Sequence, residues 1–474
     1  MNMPRRPADH ASDDLLVRTS RYCQAYRTRQ RPIDPTVTPS QLRESFCLPL
    51  SEHGEPAATV IEDLIAAAEP GLVGSTDPNF FAWVIGGSDP VGVAADWLTS
   101  TWGQNAAIYQ SSPAAAVAEE AVASWLLDLL DLPRASSVGL VNGATMATFV
   151  GLAAARDEVL RRHGHDYATN GLQGAPLVRI YLSDDAHVAN YAALRQLGFG
   201  EVNIHKLPSN AAGLMRAGDL ARAMEEHVGP KIVIAQAGHI NSGGFEPLAE
   251  IANIARTHDA WMHVDGAFGL WARASTAHQH LTDGAELGDS WSVDGHKWLQ
   301  IPYASGFAIV RHPDAHRRAM SMNAGYLNSG ENDGRSPSAY VPELSRRAKG
   351  FAAWAVLRHL GRQGIEDLVE RHCAAAKNLA SRIEQIDGLS VLNEVTLNQI
   401  IVGCEDQNLE DRLIPALSTQ LNERQRSFVR TARWKGRTIL RLSIISKDTE
   451  TRHTSSLANE IATAWQIVTA DAHA

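Results

Sequence analysis

Between residues 137 and 311, short β-rich runs alternate with longer segments whose apolar positions recur at helical spacing. The short runs are "SVGLVN" (137–142), "VRIYLS" (178–183), "KIVIAQAG" (231–238), "AWMHVD" (260–265), "DSWSVD" (289–294) and "SGFAIVR" (305–311). Among the helical segments are "SPAAAVAEEAVASWLLDLLDL", "TMATFVGLAAARDEVLRR" and "PLAEIANIARTHD". Such alternation predicts an α/β fold, a mostly parallel sheet covered by helices on both faces. Ahead of it, about 75 residues read as polar helices broken by "RPIDPTVTP" and "EPGLVGSTDP". Behind it, "GFAAWAVLRHLGRQGIEDLVERHCAAAKNLASRI" reads as a helical stretch leading into a smaller α+β segment that ends near "RTILRLSII". The chain therefore divides into an N-terminal helical arm (1–80), a large α/β domain (81–350) and a small C-terminal α+β domain (351–474). It shows no internal repeat.

Composition narrows the function classes. A chain of 474 residues exceeds what one core usually holds. Hydrophobic residues at 44 % and charged residues at 20 % are ordinary for a globular protein. The net charge is −10 and nothing basic clusters, which argues against nucleic acid as a partner. No run of about 18 apolar residues predicts a membrane span, and the start "MNMPRRPADHASDD" lacks the apolar core of a secretory signal. Cys23, Cys47, Cys373 and Cys404 lie far apart with no CxxC spacing. They read as the reduced thiols of a cytoplasmic protein with no metal site.

Chemistry gathers where the predicted strands end, the edge that carries ligands in open parallel sheets. After the first strand, "NGATMAT" opens a helix with Gly143, Ala144 and Thr145, whose free amides and hydroxyl suit a phosphate. "DDAHVAN" brings His187, "HVDGAFG" brings Asp265, and "DGHKW" brings His296 and Lys297, one of only seven lysines against 36 arginines. Each has a plainer reading: a capped helix, a structural histidine, a turn cap, a snorkelling lysine. Together they are the parts pyridoxal phosphate needs. Lysine supplies an amine for the aldehyde, aspartate pairs with the pyridine nitrogen, and histidine stacks on the ring. The helix start and His296 would hold the phosphate.

These motifs, in this order, resemble the group II pyridoxal-phosphate-dependent amino-acid decarboxylases from about residue 75 onward. "PNFFAWVIGGSDP", "SSPAAAVAEEAVASWL" and "YVPELSRRAKGFAAW" add to the likeness. The resemblance implies the fold type I pyridoxal-phosphate-dependent transferase fold. It also implies a homodimer with shared active sites, and α-decarboxylation of an L-amino acid through a Lys297 aldimine and a quinonoid. It carries cofactor contacts onto Gly143, Ala144, Thr145, His187, Asp265, Ala267, His296 and Lys297. Substrate contacts fall on Phe80, Phe81, Trp83 and Asn105, the last in "GQNAAIYQ", a segment that crosses from the partner subunit. The small Ala106 and Ala107 there would leave room for an aromatic or other bulky side chain. The acid that returns a proton to Cα is a loop tyrosine, Tyr340 by its distance to "SRR", with Tyr326 as the alternative.

Departures keep other readings open. Where the family often has threonines after Gly238, this chain reads "GHINSGG", so Asn241 or Ser242 would take over that contact. Gly266 stands where many relatives have alanine. The same site could run oxidative decarboxylation to an aldehyde, or transamination if Arg437 or Arg441 held a carboxylate. A pyridoxal-phosphate-holding protein without turnover is the non-enzymatic reading. A nicotinamide dehydrogenase is disfavoured because no GxGxxG follows an early strand.

Overall fold

In the computed structural model, which describes residues 10–29, 32–35, 37–322 and 334–473, seven strands form the central sheet. They are β1 (Ser137–Val141), β2 (Arg179–Ser183), β3 (Ile204–Leu207), β4 (Lys231–Gln236), β5 (Trp261–Asp265), β6 (Ser290–Asp294) and β7 (Gly306–Val310). Their spatial order is β1-β7-β6-β5-β4-β2-β3. Strands β3, β2, β4, β5 and β6 pair in parallel, and β7 lies antiparallel between β6 and β1. Six of the seven are the runs read from the sequence. The seventh, β3, escaped because it is an edge strand whose "IHKL" stays mostly unburied, so it carries no strong apolar signal.

Helices α1 (His10–Thr28), α2 (Pro39–Phe46) and α3 (Ala57–Ala68) precede the sheet. Thr38 and Gln41 close a capping box at the start of α2, yet neither α2 nor α3 buries a residue. Next come α4 (Pro90–Trp102), α5 (Pro113–Leu129) and α6 (Ala144–Arg162). Along α6 most side chains are buried, and it rests so close to the sheet that a Cβ on Gly151 would come within 2.9 Å of the His263 ring.

Four antiparallel strands form a second sheet, β8 (Leu389–Val391), β9 (Gln399–Cys404), β10 (Arg430–Trp434) and β11 (Arg437–Ser443), in the order β10-β11-β9-β8. Gly350–Ile383 is the helical stretch that leads into it. Gly361 interrupts it at φ 62°, ψ 178°, a conformation essentially reserved for glycine.

Because β1 and β6 both oppose β7, they run parallel to each other. The C-terminal ends of β1, β2, β4, β5 and β6 therefore share one edge. That edge carries the site.

Candidate active site

Asp265 is the last residue of β5 and is 8 % exposed. Its Oδ2 accepts from Asn190 Nδ2 at 2.9 Å, and its Oδ1 from Ser292 Oγ at 3.4 Å and the Ala267 amide at 3.3 Å. Donors on both oxygens fix the carboxylate in place, as burial of a charge requires. Beyond β2, His187 caps the helix Val188–Gln196: Nδ1 accepts from the Ala189 amide at 3.3 Å, which leaves the ring proton on Nε2. The His187 amide donates to Gln236 Oε1 at 3.2 Å, tying it to β4. Burial holds the His187 pKa below the ordinary histidine value. The charges that act on it include Asp265, Lys297, Arg441 and Asp294. One neutral imidazole thus sits amid the carboxylate, the lysine and an arginine from the second sheet.

Lys297 lies just past β6. Its ammonium pairs with Asp294 Oδ2 at 3.0 Å and stands 5.9 Å from the centre of the Phe268 ring. Asp294 Oδ1 accepts from the Ala144 amide, at the start of α6, at 2.6 Å. His296 Nε2 is 3.4 Å from the same oxygen. The His296 ring packs 4.4 Å from that of Tyr303, and burial lowers its pKa. Here the backbones pack tightly. A Cβ on Gly143 would come 2.9 Å from His296 Cε1, and one on Gly306 2.4 Å from the Gly143 Cα. Thr145 is exposed on the same turn. An amide-rich helix start, a buried carboxylate and a lysine amine around one imidazole fit pyridoxal 5′-phosphate.

Asn241 is buried, and its Oδ1 accepts from Arg441 Nη1 at 3.1 Å. Ser242 Oγ donates to the Ala212 carbonyl at 2.7 Å and so faces away, leaving Asn241 as the nearer substitute for the family's threonine. His239 serves the fold: Nδ1 accepts from the Asn241 and Ser242 amides, and Nε2 lies 3.3 Å from the Asp185 carbonyl. Of the two arginines considered as carboxylate holders, Arg437 is bound to Glu410 at 2.5 Å, whereas Arg441 turns toward the site.

Several expected substrate contacts are placed elsewhere. Phe80 stacks on Phe428 at 5.0 Å and is 1 % exposed, and Phe81 is fully buried in the core of the second sheet. Phe81 also pairs through its backbone with Phe428 and Ser443. Both are core residues, because their segment bridges to the small sheet. Ala106 and Ala107 are buried as well, so they open no room within their own chain. Asn105 Oδ1 is occupied by the Arg346 amide at 3.2 Å. Trp83 is 40 % exposed, its ring 5.8 Å from Phe428.

Tyr340 is clamped on its own subunit: its carbonyl accepts from His316 Nε2 at 2.9 Å, and Arg335 sits 3.8 Å from its ring centre. Tyr326 lies outside the described residues. Conversely, three site residues went unread: Asn190, Ser292 and Asp294. Asn190 had a signal, standing one helical turn after His187 in "HVAN". Asp294 had another, closing β6 as Asp265 closes β5.

The family described as the pyridoxal-dependent decarboxylase conserved domain matches residues 39–402. Tryptophan decarboxylase 1 of Oryza sativa subsp. japonica is 28 % identical, the match covering 92 % of this chain and 88 % of that protein. Aromatic-L-amino-acid decarboxylase of Sus scrofa is 28 % identical over 89 % of both chains. 4-Hydroxyphenylacetaldehyde synthase of Rhodiola rosea is 29 % identical over 77 % of this chain and 74 % of that one. The crystal structure of Oryza sativa TDC with PLP and tryptamine shares the fold, with a TM-score of 0.88, 24 % identity, and coverage of 98 % of this chain and 99 % of that one. With a match spanning well over half of its length, the chain belongs to the pyridoxal-dependent decarboxylase family, and is a carboxy-lyase that works with pyridoxal 5′-phosphate.

Proposed function

We propose that the enzyme removes the α-carboxylate of an aromatic or similarly bulky L-amino acid, releasing CO2 and the amine. The observation that carries this is the cluster at the strand ends: Lys297 pairs with Asp294, which also holds the Ala144 amide, and the buried Asp265 is fixed by Asn190 and Ser292. The substrate class is supported by the names of the relatives. Bound pyridoxal 5′-phosphate supplies an aldehyde for the amino group and a ring that accepts the electron pair left on Cα. The protein's part is to bind, orient and protonate. The start of α6, Thr145 and His296 would hold the phosphate. Asp265 would hold the ring nitrogen, steadied by Asn190 and Ser292, while His187 lies against the ring. Asn241, presented with Arg441, would face the substrate side. Lys297 provides the amine that holds the cofactor between turnovers.

A proton must reach Cα, and a loop tyrosine is the donor the family resemblance supplies. Since Tyr340 is held by His316 and Arg335, we assign the role to Tyr326. A second reading, oxidative decarboxylation to an aldehyde, is favoured by the likeness to an aldehyde synthase. Measuring CO2, amine, H2O2 and keto acid from a panel of amino acids separates these outcomes. Amine with CO2 supports the proposal, and H2O2 with aldehyde supports the second reading. Lys297→Ala should abolish turnover and leave no borohydride-reducible link at position 297.

We also infer a homodimer in which the arm (1–80) covers the partner, beside the large (81–350) and small (351–474) units. Helices α2 and α3 bury nothing in their own chain, and Leu50, Phe46 and Leu64 stand exposed. Trp97, Leu98 and Trp102 of α4 are exposed as well. So much uncovered apolar area fits a permanent interface. Sedimentation showing an active monomer would overturn this.

A further inference from the structure

Asp294 is 3 % exposed, and its backbone is already secured: its amide donates to the Ala267 carbonyl, and its carbonyl accepts from Trp271 Nε1. The carboxylate therefore need not serve the strand. It spans two groups instead. Oδ1 takes the Ala144 amide at 2.6 Å, and Oδ2 takes the Lys297 ammonium at 3.0 Å. These are one amide of the helix start that would receive a phosphate and the amine that would receive an aldehyde. We propose that Asp294 is an internal stand-in for the cofactor's phosphate, satisfying both groups in the cofactor-free enzyme and opposing the phosphate when the cofactor enters. The proposal rests on reading residues 143–145 as the phosphate site and goes beyond it by giving that site a resident anion.

The physical argument is competition. A helix start stabilises one anion readily, but two anions at one amide repel, more strongly in a buried site than in water. Loading also draws on the carboxylate's cation, because the Lys297 amine would condense with the aldehyde, losing water, and so no longer serve Asp294 alone. His296, the other group within reach of Oδ1, is a poor replacement, because its partial burial lowers its pKa. Trp271 and Ala267 fix the Asp294 backbone, so the side chain has little freedom to withdraw. Holding the cofactor-free site in order thus weakens retention of the phosphorylated cofactor.

The test uses the full-length enzyme stripped of cofactor, as wild type and as Asp294→Asn, which keeps an acceptor for Ala144 but no charge. Each is titrated with pyridoxal 5′-phosphate and with pyridoxal, which has the aldehyde and lacks the phosphate. Binding is read from absorbance, and each stripped protein is melted. The ratio of phosphate-form to pyridoxal affinity should rise about tenfold in the variant, equivalent to roughly 1.4 kcal/mol. The stripped variant should melt at a lower temperature, having lost the Lys297 pair. Mere damage to the fold would lower both the melting temperature and the affinities. An affinity ratio that is unchanged or lower overturns the proposal. Asp294→Ser, which also removes the charge, must move the ratio in the same direction should Asp294→Asn not fold. If the wild type binds neither compound, the cofactor reading fails and this inference with it; if it binds both and the ratio does not rise, this inference alone fails.

Discussion

Asn190 Nδ2 donates to Asp265 Oδ2 at 2.9 Å, from one helical turn beyond His187. The same short segment therefore supplies the imidazole proposed to face the cofactor ring and steadies the carboxylate proposed to hold the pyridine nitrogen. A hydrogen bond to a charged group contributes about 1.5–3 kcal/mol, so losing it should cost roughly ten- to a hundredfold. Asn190→Ala should lower kcat by that order and make the cofactor leave faster on gel filtration. An unchanged kcat with full cofactor retention would show that Ser292 and Ala267 suffice to hold Asp265.

The two loop tyrosines can be told apart. Tyr340 is engaged through its carbonyl with His316 and through its ring with Arg335. Tyr340→Phe removes only the hydroxyl, and should leave rate and product unchanged. Tyr326→Phe should cut amine formation by about a hundredfold, the usual worth of a positioned proton donor, and should raise the share of aldehyde. The reverse pattern, read from product ratios, would return the role to Tyr340.

Gly86 has no room for a side chain. A Cβ there would come 1.9 Å from the His296 carbonyl oxygen and 2.4 Å from that of Lys297, both backbone atoms that cannot swing aside. Gly86→Ala should therefore displace the turn that carries Lys297, abolish formation of the cofactor's absorbance band and lower Tm. Gly54→Ala, where a Cβ meets nothing within 4 Å, is the matched control and should change neither. Normal cofactor loading by Gly86→Ala would mean that the turn yields more readily than its packing indicates.

The strands and the residues that end them were legible because burial and cofactor chemistry both write locally. Apolar runs mark β1, β2 and β4–β7, and polar residues at their ends mark the site edge. What was not legible depends on contacts far apart in sequence. Phe80 and Phe81 look like pocket aromatics until Phe428 and Ser443 meet them, more than 340 residues later. The bond from the Ala144 amide to Asp294, across 150 positions of sequence, shows only in the fold. Tyr340 was favoured by its distance to "SRR", a criterion blind to the His316 and Arg335 contacts on its carbonyl and ring.

Acid stability gives the last prediction. His316 is fully buried, with Nδ1 2.8 Å from Ser137 Oγ and Nε2 donating to the Tyr340 carbonyl, and burial drives its pKa down to about 3. In the unfolded chain its pKa returns to about 6.5. Between those values the unfolded state binds a proton that the folded state refuses. His316 therefore contributes stability above about pH 6.5 and loses it as pH falls toward 3, with a slope near 1.4 kcal/mol per pH unit. Glu246, raised to about 7 by burial, works in the opposite sense, because the folded state takes up its proton first. Comparing wild type with His316→Asn cancels that contribution and every other shared one. At neutral pH the variant should be less stable than wild type, having lost a buried pair of hydrogen bonds. The gap in urea midpoint should narrow steadily from pH 6.5 to pH 4.5. A gap that stays constant over that range would mean that His316 titrates alike in the folded and unfolded chains.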